Sequence, residues 1–283
     1  MPELPEVETI ARALREGAQR SVVGSTITAA VVLWERSLAT PTLQEFKARI
    51  PGQTIKSIGR RGKYIVFTLS NDTLLVHLRM SGDMRVEAWL GSDPAAGLRK
   101  HDRAAFSLDN GQRMVFEDAR KFGRMWLLAD PQEQLSKLGP EPFDQELTQS
   151  TFHARLQAHK RQLKPLLMDQ SFLAGLGNIY TDESLFKAKL HPLILSNRVT
   201  QEQAAKLLQA IQTTLQEGIQ RNGASIDWVY RGGDFQNHFY VYGRKGEECQ
   251  LCGAPLERIV VGQRGTHFCP ACQSLHEQDS PIS

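Results

Sequence analysis

The stretch CQLCGAPLERIVVGQRGTHFCPAC, residues 249–272, contains all four cysteines of the 283-residue chain. They form two Cys-x2-Cys pairs with sixteen residues between them, a spacing typical of structural zinc sites. Each pair supplies two thiolates from one tight turn, and together the pairs close a tetrahedron with no open position. Disulfides are the alternative, but they are rare in a cytosolic chain, which is what we expect here. We therefore predict one structural Zn2+ with four ligands: Cys249, Cys252, Cys269 and Cys272.

Between the two cysteine pairs, the sequence LERIVVGQRGTHF predicts a β-hairpin with VGQRG near its tip. Such a hairpin has almost no apolar core, so metal binding must supply most of its folding free energy. Arg264 is expected at the exposed turn. The pattern therefore predicts a small β-hairpin zinc finger over residues 243–275.

The chain before the finger shows helical periodicity, which is strongest over residues 149–158, 178–188 and 200–221. Gly175 and Gly177 stand directly before the second of these helices. Glycines let a backbone approach an anion closely, and a helix N-terminus offers N–H groups to it. A plain turn between helices is the alternative. In the functional interpretation Asn178 caps the helix and contacts a phosphate.

The first half of the chain has short apolar or alternating runs separated by turn signals, which is typical of strands. The clearest runs are KYIVFTL at 63–69, LLVHL at 74–78 and RMWLL at 124–128. A helix is predicted before them over residues 5–17, because Pro5 suits its start and Gly17 its end. We predict an α+β fold with four segments: a β-sandwich domain preceded by a helix (1–137), a linker (138–148), a helical domain (149–242) and the finger (243–275).

Composition narrows the functional class only slightly. Hydrophobic residues make up 41% and charged residues 23%, and the net charge is +3. These values are typical of a globular protein and do not by themselves indicate a nucleic-acid binder. The chain has no apolar run of membrane-spanning length, and its acidic start differs from a secretory signal. We expect a cytoplasmic protein that does not bind membranes.

Several separate motifs resemble one family, the bacterial formamidopyrimidine-DNA glycosylases. They occur in the family's order from residue 2 to about residue 273: PELPEVE, GKY at 62–64, HLRMSG at 77–82, DARKFG at 118–123, LGPEP, LKPLLMDQSFLAGLGNIYTDE, YVYGRKGEECQLCG and QRGTHFCPACQ. The resemblance implies a β-sandwich domain, a helix–two-turn–helix domain and a zinc finger. It implies a monomeric, nucleoid-associated repair enzyme that removes oxidised purines from double-stranded DNA and cleaves abasic sites by β- and δ-elimination.

The resemblance also implies four catalytic residues. The nucleophile is the amine of Pro2, which requires removal of Met1, and Glu3 beside it is the general acid and base. Lys63 donates a proton in the first elimination, and Arg264 holds the phosphate beside the lesion. We further expect Glu6 to hydrogen-bond the chain start.

A base inside a duplex must be flipped out before it can be excised, and the gap must then be filled. Three residues match the family's wedge: Met80, Arg120 and Phe122. The remaining candidates for contact with the DNA backbone are Asn178, His77, His101, Lys160 and Lys164. Arg79 stands where the family commonly has glycine, and residues 223–236 resemble its lesion-covering loop.

Two other functions fit part of the pattern. An endonuclease VIII-like glycosylase for oxidised pyrimidines shares the fold and nucleophile, but its start typically reads PEGPE rather than PELPE. A non-catalytic zinc DNA-binding module explains the finger and the glycine turn. It does not explain Pro2 and Glu3 together with Lys63.

Overall fold

The computed structural model describes residues 1–17, 21–225 and 232–275. The chain divides into two compact units. The first comprises Met1–Lys137 together with Asn222–Gly233, and the second comprises Leu138–Arg221 together with the chain from Asp234 onward. Each unit has its own apolar interior.

The first unit begins with α1 (Leu4–Glu16), which confirms the helix predicted over residues 5–17. Glu3 is its N-cap and forms a capping box with Glu6, and Pro5 occupies the first turn. Gly17 ends the helix with a φ of 70°, a conformation that favours glycine. The apolar side chains at helical spacing are buried: Val7, Ile10 and Leu14.

Nine strands follow α1 in the described part of this unit: β1 (Ile27–Val32), β2 (Leu38–Thr40), β3 (Ile55–Arg61), β4 (Tyr64–Leu69), β5 (Thr73–His77), β6 (Gly82–Ala88), β7 (Asp102–Leu108), β8 (Gln112–Asp118) and β9 (Arg124–Leu128). They form a four-stranded sheet in the order β1-β7-β8-β6 and a five-stranded sheet in the order β2-β9-β5-β4-β3. Neighbouring strands are antiparallel except β2 and β9. The predicted strands correspond to β4, β5 and β9.

One core joins α1 to both sheets, which makes the unit a β-sandwich preceded by a helix, as predicted. Phe67 of the five-stranded sheet and Phe106 and Phe116 of the four-stranded sheet are fully buried in it. Burying each such ring contributes about 1.5–3 kcal/mol.

Two helices in this unit are absent from the sequence prediction, α2 (Leu43–Arg49) and the short α3 (Gln132–Leu135). The signal for α2 is present in the sequence, because Thr42 and Glu45 form a capping box. Its buried Phe46 packs edge-on against Phe106, with ring centroids 6.3 Å apart.

The second unit contains α4 (Gln149–Gln157), α5 (Leu163–Leu167), α6 (Asn178–Lys187), α7 (Gln201–Gln220) and the hairpin strands β10 (Glu257–Val261) and β11 (Arg264–Phe268). The three predicted helices correspond to α4, α6 and α7, and the predicted hairpin to β10 and β11. The turn between these strands holds Gly262 at φ 55° and Gln263 at φ 63°, the two positive values that suit a tight hairpin.

The structure differs from the predicted boundaries in two places. Residues 138–148 were expected to form a linker, but they are hydrogen-bonded into the second unit. Gly139 N donates to Gln170 O at 2.9 Å, and Ala174 N donates to Pro140 O at 2.9 Å. Residues 222–233, which the prediction included in the helical domain, belong with the first unit. Across the described residues, every helix is too short or too polar to span a bilayer.

Candidate active site and nucleic-acid interface

Residues 2 and 3 at the chain start are buried, and one carboxylate holds them in place. Pro2 and Glu3 lie in the interior of the first unit, and Glu3 is 2% exposed. Glu6 Oε2 accepts a hydrogen bond from Glu3 N at 2.8 Å, and Glu6 Oε1 accepts one from Ala224 N at 2.7 Å. Glu6 therefore fixes the residues around Pro2, as predicted, and ties them to the returning segment 222–225.

Gly223 allows this arrangement because no side chain fits at its position. A Cβ atom there would lie 2.6 Å from Glu6 Oε1, and its φ of 79° disfavours other residues. Two described residues of the predicted lesion-covering loop, Gly223 and Ala224, therefore help to hold Glu6 and the chain start in place. Residues 226–231 of that loop lie outside the described residues.

The course of α1 along β3 brings Lys63 to the same end of the unit. Arg15 near the end of α1 donates to Ile58 O at 3.2 Å, and Glu8 accepts from Arg60 Nε at 3.3 Å. The start of α1 therefore lies nearer to the end of β3 that leads into the turn between β3 and β4. That turn holds Gly62, with φ 57°, and Lys63, which is 4% exposed.

His77 adjoins the turn, and its environment keeps it neutral. Burial is the main cause that lowers its pKa to about 3, and the positive charges of Arg79 and Lys63 add to it. Its ring packs edge-on against Tyr64 at 4.8 Å, and its Nδ1 accepts from Arg79 N at 3.0 Å. A buried, neutral imidazole binds a phosphate poorly, so the position of His77 does not favour its predicted contact with the DNA backbone.

Loop 78–81 carries Met80 and connects β5 to β6. Arg79 adopts a left-handed φ of 57°, a conformation that favours glycine over arginine. The loop closes with Gly82 N donating to Leu78 O at 2.9 Å. Arg79 is exposed and Met80 is half-buried.

Loop 119–123 carries Arg120 and Phe122 and connects β8 to β9. Arg120 is exposed, and 55% of Phe122 is exposed, so both side chains stand at the surface. Lys121 between them has a φ of 60° and lies over the ring of Trp34, with Nζ 4.2 Å from the centroid.

Asp118, a residue that the sequence interpretation missed, connects these two loops. Its Oδ1 accepts from Ser81 Oγ and from Arg120 N at 3.2 Å. Its Oδ2 accepts from Gly123 N at 2.7 Å, and its own N donates to the carbonyl of half-buried His101 at 2.9 Å. The signal was available, because Ser81 and Asp118 lie inside the HLRMSG and DARKFG motifs.

The turn before α6 differs in detail from its prediction. Gly175 has a φ of 108°, and Gly177, not Asn178, is the N-cap. Asn178 is the first helical residue, and its Nδ2 donates to Gly265 O at 3.0 Å. The predicted capping role of Asn178 is therefore wrong, and its side chain instead joins α6 to the finger hairpin.

A buried ion pair anchors the same hairpin. Lys164 and Asp182 are almost completely buried, with Lys164 Nζ 2.6 Å from Asp182 Oδ1. Lys164 also donates to Thr266 Oγ1 at 2.8 Å, and Asp182 accepts from His267 N at 2.9 Å. This placement does not favour the predicted backbone contact of Lys164, because its ammonium group is satisfied inside the unit.

The predicted cations at the surface of the second unit are accessible. Lys160 is exposed beyond the end of α4, and Arg264 is exposed at the start of β11, next to the hairpin turn.

Glu183 was also missed by the sequence interpretation. It accepts hydrogen bonds from the backbone N–H groups of Tyr240, Val241 and Tyr242, at 2.8–3.0 Å. Glu183 thereby fixes the segment that leads into the finger.

The four cysteines fit one zinc ion. Their sulfur atoms all lie within 4.8 Å of one another, with Cys252 and Cys269 3.5 Å apart and Cys249 and Cys272 4.0 Å apart. These distances are too long for disulfides and match the ~3.8 Å expected between thiolates on one tetrahedral zinc. The cluster is thus a closed, structural Zn2+ site.

Three family models match the chain. They are described as the Formamidopyrimidine-DNA glycosylase N-terminal domain (residues 1–125), the Formamidopyrimidine-DNA glycosylase H2TH domain (138–229) and the Zinc finger found in FPG and IleRS (246–275). The helix–two-turn–helix and finger assignments are therefore confirmed.

Relatives and solved structures match over nearly the whole chain. Formamidopyrimidine-DNA glycosylase of Chloroflexus aurantiacus is 44% identical, covering 98% of this chain and 99% of that protein. The Halalkalibacterium halodurans protein of the same name is 43% identical, covering 96% and 100%. A structure of MutM in complex with carbocyclic 8-oxo-G containing DNA has a TM-score of 0.87 at 38% identity, covering 97% and 100%. The Lactococcus lactis FPG (MutM) complex with FAPY-dG containing DNA has a TM-score of 0.86 at 37% identity, covering 96% and 100%.

Proposed function

Since its three domain matches and its full-length relatives show that the chain belongs to the formamidopyrimidine-DNA glycosylase family, we propose that it excises oxidised purines from duplex DNA and cleaves the resulting abasic site. The observation that carries this proposal is the burial of Pro2 and Glu3 at the N-terminus of α1. This helix start lies at the same end of the first unit as the turn that holds Lys63. An ordinary N-terminus is frayed rather than fixed by a capping box and a second chain segment.

Pro2 acts as the nucleophile once Met1 has been removed. With Met1 attached, the Pro2 nitrogen is an amide without a usable lone pair. The positive end of α1 lies beside the Pro2 nitrogen and favours the neutral form of the free amine, which is the form that can attack. Its lone pair forms a bond to the anomeric carbon C1′ while the bond from C1′ to the damaged base breaks. The base leaves with the electron pair of that bond and takes up the proton that the Pro2 nitrogen loses.

The sugar ring then opens, and Glu3 donates the proton that its ring oxygen requires. The product is an iminium ion, which has no N–H proton to lose and therefore stays cationic. Loss of a proton from C2′ sends an electron pair toward the 3′ phosphate, which leaves in the β-elimination with Lys63 supplying a proton. A second, δ-elimination expels the 5′ phosphate, with Arg264 holding that group.

The exposed loops 78–81 and 119–123, which we call the wedge loops, provide the means of flipping the base. Phe122 enters the base stack, Met80 fills the vacancy and Arg120 hydrogen-bonds the orphaned partner base. An apolar wedge offsets part of the few kcal/mol that unstacking costs. The exposure of Phe122 supports this role, since a buried ring would have to move first.

The second unit supplies phosphate contacts through Asn178, Lys160 and the finger residue Arg264. The zinc ion holds the finger hairpin and takes no part in the chemistry. We propose that the enzyme works as a monomer on the bacterial nucleoid. The relatives' complexes with 8-oxo-G and FAPY-dG DNA, and the PELPE start, favour oxidised purines over oxidised pyrimidines.

Strand cleavage of two duplexes tests this function. The enzyme should cleave DNA that contains 8-oxoguanine opposite cytosine at least about tenfold faster than DNA that contains thymine glycol opposite adenine. The control is Glu3→Gln, which keeps the side-chain shape but cannot donate a carboxylic proton and should lower cleavage about 100-fold or more. A preference for thymine glycol would indicate the endonuclease VIII-like activity instead, and no cleavage of either duplex would refute the proposal.

A further inference from the structure

We propose that the hydrogen bond between Ser81 and Asp118 couples the two wedge loops, so that Met80 and Phe122 enter the duplex as one rigid unit. This inference rests on the proposed function, because it assumes that both loops act on DNA. Ser81 and Asp118 are positioning residues in this account, since neither has to touch the substrate.

The topology brings the two loops together at one edge of the sandwich. Loop 78–81 leaves the five-stranded sheet and enters the four-stranded sheet, and loop 119–123 crosses in the opposite direction. Their ends are paired in both sheets, because His77 is in register with Arg124 and Gly82 with Asp118. The backbone therefore fixes where the loops begin and end, but not where their tips lie.

Asp118 provides the contacts that fix the tips. Its side chain is 1% exposed, so its charge requires full compensation by hydrogen bonds. Within loop 119–123 it accepts from Arg120 N and Gly123 N, and across to the other loop it accepts from Ser81 Oγ. Ser81 Oγ also accepts from Arg120 N at 3.0 Å, which closes a small network between the loops.

Two glycines keep the network tight. A Cβ at Gly82 would lie 2.5 Å from Leu78 O. A Cβ at Gly123 would overlap the ring of Phe116 and would also lie 3.1 Å from Asp118 Oδ2. Both positions thus require the absence of a side chain for the loops to close around Asp118. Arg103 holds Asp118 from the other side, because its Nε donates to Asp118 O at 2.7 Å.

Coupling gives the wedge a function that two independent loops lack. Insertion into a base stack must immobilise every side chain that enters, and preorganised loops lose less entropy when they do so. If the loops act together, removal of either apolar tip should also weaken the contribution of the other. The loss of excision rate in the double variant should then be smaller than the product of the two single losses.

A double-mutant cycle tests this coupling. The substitutions Met80→Ala and Phe122→Ala are made singly and together, and excision is measured in single turnover on an 8-oxoguanine·cytosine duplex. In the native background the double variant should lose at least about fivefold less than the product of the single losses. In a Ser81→Ala background the losses should multiply to within about twofold.

Further variants separate coupling from folding. Ser81→Ala alone should lower excision about three- to tenfold, the usual effect of one hydrogen bond, whereas cleavage of a preformed abasic site should change less. Ser81→Thr keeps the hydroxyl group and should restore both the rate and the coupling. Ser70→Ala removes a hydroxyl group from an exposed turn of the same unit and is the matched control.

The outcomes distinguish this inference from the proposed function. Coupling that is equal in the two backgrounds, or absent from both, overturns the inference while an active native enzyme leaves the proposed function intact. A native enzyme that excises nothing refutes both. Coupling that disappears with Ser81→Ala and returns with Ser81→Thr supports the proposal.

Discussion

The wedge loops and the zinc finger both carry proposed DNA contacts, but different forces hold them. The wedge loops extend from a sandwich with a large apolar core, and one carboxylate, Asp118, organises their tips. Among the described residues, the finger contributes to a small buried apolar cluster that it shares with α6 and the segment before the finger: Phe186, Val241, Cys249, Leu256 and Cys269. Its shape depends on four thiolates and on the buried pair of Lys164 and Asp182.

This difference shows in which region a residue that contacts DNA can be substituted without unfolding the structure that carries it. A side chain at a wedge tip can be removed while the sandwich beneath stays folded, since the core does not include it. A zinc ligand or a partner of the buried ion pair cannot be removed without loosening the surface that presents Arg264. Variants of the two regions should therefore differ in stability even where they lose similar activity.

The largest expected effect is that of Cys269→Ser in the finger. It removes one of four zinc ligands from a hairpin that lacks a sufficient core, so zinc should dissociate and the hairpin should unfold. Zinc content measured by mass spectrometry should fall from about one ion per chain to near zero. Duplex affinity should fall at least about 100-fold, with the apolar core of the first unit intact. Full zinc content in this variant would contradict the four-cysteine site.

The next largest effect separates two nearby lysines of the second unit. Lys164→Met leaves the buried Asp182 carboxylate without its cation and should lower the free energy of unfolding by about 3 kcal/mol. Hydrogen exchange along β11 should accelerate. The matched control is Lys160→Met, which alters an exposed side chain and should change the free energy of unfolding by less than about 0.5 kcal/mol.

Lys160→Met should instead weaken DNA binding and reduce the slope of affinity against salt by about one, as loss of one phosphate contact would. Similar stability losses in the two lysine variants would show that burial does not distinguish them. An unchanged salt slope would remove Lys160 from the DNA interface.

The smallest effect concerns backbone strain in a wedge loop. Arg79→Gly relieves a left-handed conformation that is unfavourable for arginine, but it also adds freedom to the unfolded chain. The free energy of unfolding, measured in urea, should therefore rise by no more than about 1 kcal/mol. Lys121→Gly, at a residue with φ 60°, should raise the free energy of unfolding by less, because this variant also loses the contact with Trp34. A loss of more than 1 kcal/mol for Arg79→Gly would mean that the side chain makes stabilising contacts.

The sequence predicted the elements that carry strong local signals. The capped helix α1, the strands β4, β5 and β9 and the zinc site all follow from periodicity, turn residues or cysteine spacing. The family motifs added the candidate catalytic and wedge residues. Helix α2 was missed because a single Thr-x-x-Glu capping box lies within a region dominated by strand patterns.

The remaining features depend on contacts between residues far apart in the chain. Lys164 is buried although Lys160 is exposed, because Lys164 on α5 pairs with Asp182 of α6 and donates to Thr266 of β11. The link from Ser81 to Asp118 spans 37 positions, and that from Glu6 to Ala224 spans 218. Such pairs become visible only when the fold brings them together.

Borohydride trapping on duplex DNA tests the central claim most directly. With Met1 removed, the iminium formed by Pro2 should be reduced to a stable covalent adduct, and peptide mapping should place the DNA on residue 2. The comparison is the same protein with one extra residue retained ahead of Pro2, whose nitrogen is then an amide. We predict that this protein still binds lesion DNA but shows neither trapping nor excision. Trapping of the extended protein on Lys63, or on any other lysine, at the native rate would contradict the assignment of Pro2 as the nucleophile.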